Sequence, residues 1–140
     1  MGNVDVNYVA VVLAALSNFV VGMIWYAKPV FGSQWMKLVG MTDTKAKKGM
    51  AWAMGVSLVA SLLAAYVLAH VIFLAHTFFG NSFLQDAVCT ALWVGVALQA
   101  TVIAVHDSFE QRRKKLTLMN MGNQLATILV MGLIIGLLGL

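Results

Sequence analysis

Charge is scarce in this chain, and the scarcity is uneven. Only 10% of its 140 residues are Asp, Glu, Lys or Arg, whereas soluble domains carry about a quarter. Residues 6–27, 49–85, 87–106 and 116–140 hold none. Because 61% of the residues are hydrophobic, a soluble fold of this size would expose apolar patches large enough to aggregate. A soluble globular class is therefore excluded. Cys89 is the only cysteine, which rules out an internal disulfide and a thiol redox pair. No span carries a pair of carboxylates, no histidines are spaced for a metal, and no serine stands in a glycine-flanked elbow. An enzyme, a metal site and a cofactor are accordingly not expected.

What charge there is falls in two basic windows. Lys28, Lys37, Lys45, Lys47 and Lys48 form one, and Arg112, Arg113, Lys114 and Lys115 the other. The net charge of +4 lies beside apolar spans, where anionic lipid headgroups attract it. Membrane lipids rather than nucleic acid are the expected partners.

About 20 apolar residues cross the hydrocarbon core as a helix. Residues 8–27, 50–79, 87–105 and 116–140 each supply such a length. The expected fold is all-α and integral to the membrane, a single domain over residues 1–140 with four transmembrane helices. Positive charge marks the cytoplasmic side, so both termini and the turn at Gly80–Ser82 are expected outside. Residues 8–27 do not read as a signal peptide, since Asp5 replaces a basic leader and Pro29 follows in place of a cleavage site. Gly2 lacks the Ser or Thr that a myristoylation motif needs at position 6.

Local signals mark the boundaries. Pro29 stops the first helix. Thr42 and Asp43 open the second, and Gly80 closes it. Ser82 with Gln85 reads as a capping box for the third, with Asp86 favouring that helix's positive end. Between the first two spans, Phe31, Trp35, Leu38 and Val39 recur at helical spacing, with Ser33 placed to cap and Gly40 to stop. A short amphipathic helix at headgroup level is expected there. Trp25, Tyr26, Phe31 and Trp35 are then lipid-facing interface residues.

Small residues repeat every fourth position in three spans: Ala10, Ala14, Asn18 and Gly22; Ala53, Ser57, Ser61, Ala65 and Ala69; Ala87, Ala91, Gly95 and Gln99. Such seams let membrane helices approach closely. Asn18, Ser57 and Gln99 lie within them, and all fall roughly 10–14 Å from the basic rim, as does Gln124. With Asn123 they form a layer of hydrogen-bonding side chains. Such a layer serves either as interhelical glue, worth about 0.6 kcal/mol per bond, or as the lining of a polar cavity open to the cytoplasm.

His70 is the one ionisable side chain well inside a span. It is a proton-site candidate by default, against a neutral imidazole bonded to a backbone carbonyl. His106, Asp107 and Glu110 read as a solvated face. Gly132 and Gly136 form a GxxxG motif opposite Asn123 by 100° steps. That face is expected to contact another copy, giving a homo-oligomer.

Asn18, Gly22, Trp25-Tyr26, Pro29, Phe31-Gly32, Trp35 and Gly40 spell N-x3-G-x2-W-Y-x2-P-x-F-G-x2-W-x4-G. This resembles the bacterial membrane family called "domain of unknown function 1761". Phe109-Glu110, the basic cluster, Asn120 and Gly122 are similar to that family's second recurring stretch. The resemblance implies a small four-span protein of the bacterial inner membrane and no assigned activity.

Two functional classes follow. One is a non-catalytic accessory bundle whose short helix and basic loops bind lipid or a protein partner at the cytoplasmic face. The other is a transporter or channel for a small solute or ion through the polar layer. It would differ from the small multidrug transporters, which it matches in size, because no span holds their glutamate.

Overall fold

The computed structural model describes residue 4 and residues 6–139. The expectations for Gly2 and Asp5 lie outside the described residues. Among those residues every regular element is helical. Four helices are long and apolar enough to cross a membrane, at Tyr8–Trp25, Asp43–Phe79, Phe83–Phe109 and Lys114–Leu138. Large apolar side chains such as Val20, Met23, Leu63, Trp93 and Leu137 face outward along them. Lipid solvates such a surface and water does not. The chain is a multi-pass membrane protein.

Caps set the helix limits. Asn7 Oδ1 accepts from Ala10 N at 3.1 Å and opens α1 (Tyr8–Trp25). A π-turn over Lys28–Gly32 leads into α2 (Ser33–Val39), which Gly40 ends in the left-handed conformation. Ser33 is not a cap, because its hydroxyl donates back to the Lys28 carbonyl at 3.0 Å. Thr42 caps α3 (Asp43–Phe79), and Gly80 ends it at φ +68°. With 37 residues, α3 is about 55 Å long and outruns the hydrocarbon core of about 30 Å. Ser82 accepts from Gln85 N at 3.3 Å and opens α4 (Phe83–Val94). A π-helical stretch, Gly95–Ala100, continues into α5 (Thr101–Phe109). After a short basic turn comes α6 (Lys114–Leu138).

The small-residue seams face inward except at Ala53, which is exposed on the part of α3 nearest the basic end. Ala10, Ala14, Ala65, Ala69, Ala87 and Ala91 are almost fully buried, and α6 lies at the centre, packed on α1 and α4. Gly132 and Gly136 do not form the outward face expected of them. A Cβ on Gly132 would meet Ala91 Cβ at 2.5 Å, and one on Gly136 would meet Ala87 Cβ at 2.8 Å. The motif holds α6 against α4 within one chain and is not free for a second copy. Apolar attraction is weak between helices in lipid, so the closest backbone approach forms where both partners are small.

Both basic loops lie at one end of the molecule. Leu38 and Val39 of α2 share a groove with Arg112, Arg113 and Leu116. Buried residues of α3 begin only at Ser61, so its half nearest the basic end stands away from the bundle.

Candidate functional site

The seams carry polar side chains to a common level. A cavity of about 250 Å³ lies among α1, α3, the π-helical stretch and α6. Asn18, Ser57, Gln99, Asn123 and Gln124 all line it. The π-helical winding matters for Gln99. In an α-helix, positions four apart drift by about 40° per step. The i→i+5 winding of Gly95–Ala100 turns less per residue and reverses that drift. Gln99 thus stays on the face that Ala91 and Gly95 turn toward α6, where Gly95 backs onto Ile128 and Leu125.

Gln124 Nε2 donates to Gln99 Oε1 at 3.1 Å, which is the glue function in part. Two further groups remain open. Asn123 Oδ1 and Thr127 Oγ1 are buried without a partner among the described residues. Ser61 and Thr127 also line the cavity, and both went unassigned in the sequence, although Ser61 belongs to the α3 seam. No charged side chain lines this chamber. Buried polar atoms are costly when unpaired, so the chamber suits a small occupant able to exchange hydrogen bonds.

A second chamber, of about 400 Å³, lies toward the basic end and is lined by Tyr26, His106, Asp107, Glu110, Arg112 and Asn120. Asn123 and Gln124 line both. Tyr26 donates to Asn120 Oδ1 at 3.3 Å, and burial pushes its phenol above its ordinary pKa. The Arg112 guanidinium bonds Glu110 and holds that carboxyl below its usual range. Asp107 corrects the solvated-face reading. It is 7% exposed, because α5 turns it toward the junction with α6.

The aromatic residues expected at the interface are half-buried, each with a protein contact on one side. Trp25 covers Gly122, where a Cβ would come within 2.8 Å of the indole. Trp25 also packs on Phe31, with ring centroids 4.9 Å apart, and Tyr26 on Trp35 at 5.4 Å. A Cβ on Gly32 would clash with the Tyr26 carbonyl oxygen. The two recurring stretches of sequence are therefore halves of one joint, with Trp25 on Gly122 and Tyr26 on Asn120. Neither stretch alone signals the other.

His70 stands apart from both chambers. Its Nδ1 bonds the Tyr66 carbonyl at 2.8 Å within its own helix, and its ring stacks on Tyr66 at 4.3 Å. Another histidine has the closer acidic partner. His76 Nδ1 lies 2.9 Å from Asp86 Oδ2, and Asn81 donates to Asp86 Oδ1 at 3.0 Å. Asp86 is 3% exposed and ties the α3–α4 hairpin together.

The sequence model of a family described as "Protein of unknown function (DUF1761)" matches residues 9–136. No curated protein matches the chain, and no solved structure does.

Proposed function

We propose, from the premise that this chain belongs to the DUF1761 family of proteins of unknown function, that it binds and passes a small, uncharged polar solute in the membrane. The observation that carries this is the cavity lined by Asn18, Ser57, Gln99, Asn123 and Gln124, with the Asn123 carbonyl oxygen and the Thr127 hydroxyl left without a partner among the described residues. Interhelical glue alone would consume its own hydrogen bonds. Asn123 and Gln124 also line the pocket at the basic end, which on this reading is where the solute enters.

Positive charge stays in the cytosol, so that chamber opens inward and both termini lie outside. The membrane is the bacterial inner membrane, and α2 rides at its inner interface with Lys37 exposed. The role is binding and passage rather than bond chemistry. A panel of neutral solutes of about 250 Å³ or less, tested by flux into proteoliposomes, examines the idea. Asn18→Leu with Gln99→Leu should abolish the flux that wild type supports, while the variant keeps its helical content. Wild-type vesicles that pass none of the panel would remove the transport class.

The accessory reading keeps one observation of its own. The half of α3 nearest the basic end has no buried residue before Ser61, and Ala51, Trp52, Gly55 and Val59 line an apolar groove on it. On that reading a second copy covers the groove. Gly55→Cys in a Cys89→Ser background should then form a disulfide-linked dimer in membranes. Monomers only would leave lipid as the cover.

A further inference from the structure

The inward chamber holds a charged group that a neutral solute leaves unused. Asp107 Oδ2 is buried and meets no donor among the described residues. Its other oxygen forms an ion pair with Arg112 Nε at 3.7 Å, too long for a hydrogen bond, and the same nitrogen donates to Glu110, so one guanidinium is shared by two carboxylates. A buried carboxylate needs a counter-charge or a donor to offset its desolvation. Asn123 Oδ1 lines the same chamber and is likewise buried and unpartnered. The Tyr26 hydroxyl and Asn120 add further oxygens there.

Two carboxylates, Asp107 and Glu110, and one guanidinium, Arg112, line the chamber. The net is one negative charge. We infer that Asp107 and Asn123 hold one small monovalent cation in this chamber. Oxygen ligands suit a hard cation, and a single net negative charge matches a monovalent one. A transition metal would call for a cluster of His, Cys, Asp and Glu, and no group of three gathers among the described residues. Asn123 and Gln124 also line the solute cavity, so cation binding would bias solute binding. That coupling rests on the solute reading, whereas the cation site stands without it.

The test uses the purified full-length protein in nanodiscs with no solute. Lithium, sodium and potassium chloride are compared with N-methyl-D-glucamine chloride at equal ionic strength. One alkali ion should raise Tm by about 5 °C or more at roughly a hundredfold excess over its Kd. Asp107→Asn should lose that rise. Should Asp107→Asn fail to fold, Asn123→Ala should weaken the cation's apparent affinity about tenfold, as one lost oxygen ligand predicts. The same Tm in all four salts would overturn the inference, as would an equal rise in Asp107→Asn. A cation-dependent Tm without any solute flux would support the ion site and count against the solute reading alone.

Discussion

Asp86 and Asp107 show how far the surroundings of one residue type can diverge within a single helical rod. Asp86 is enclosed by His76 and Asn81; Asp107 keeps an oxygen without a partner. Removing the first leaves two donors facing an apolar hairpin, which is the costly direction of hydrogen-bond loss. Asp86→Ala should therefore lower Tm and speed proteolysis at the Gly80–Ser82 turn, with His76→Ala milder because its imidazole is partly exposed. Equal melting of wild type and Asp86→Ala would refute the tie. Glu110 gives a pH-dependent case. Arg112 holds its pKa down in the fold, so the pair stabilises above the unfolded-state value of about 4.3 and fades as pH falls through the lowered one. Glu110→Gln should thus destabilise at neutral pH and match wild type in strong acid, as melts across pH would reveal.

At the scale of elements, the joint between α1, α2 and α6 depends on close backbone approach. Gly32 closes the π-turn with its N–H donating to the Ala27 carbonyl at 2.9 Å, while its Cα faces the Tyr26 carbonyl. Gly32→Ala places a methyl against backbone, which cannot rotate away. An overpacking cost of about 1–3 kcal/mol is expected, with Trp35 fluorescence shifted as α2 leaves Tyr26. An unchanged spectrum and melt would mean that the turn relaxes freely. Much of this layer was legible from the chain. Thr42, Gly80 and Ser82 act within one turn of their partners, so local spacing locates them. The π-helical stretch was not legible, because Gly95 backing onto Ile128 and Leu125 involves a helix distant in sequence.

For the whole molecule, α6 is the axis. Gly132 and Gly136 spend their close approach on α4. Gly132→Val should cost about 1–3 kcal/mol of stability and leave oligomeric state unaltered in nanodiscs. A variant that changes copy number without losing stability would return the motif to an intermolecular role. The outer surface is apolar along all four spans, which is the condition for solvation by lipid.

Four rods, most of their caps and the level of the polar side chains can be read from the chain alone. Those follow from residue spacing along one helix, where period and length depend on the chain alone. Asn18, Gln99 and Gln124 could be placed at one depth because depth is counted in residues from a charged rim. Which face meets which came from packing. It turned Gly132 and Gly136 inward, seated Trp25 on Gly122, and buried Asp107. A helix's periodicity tells which residues share a face, but the partner covering that face is chosen by packing among rods that are remote in the chain.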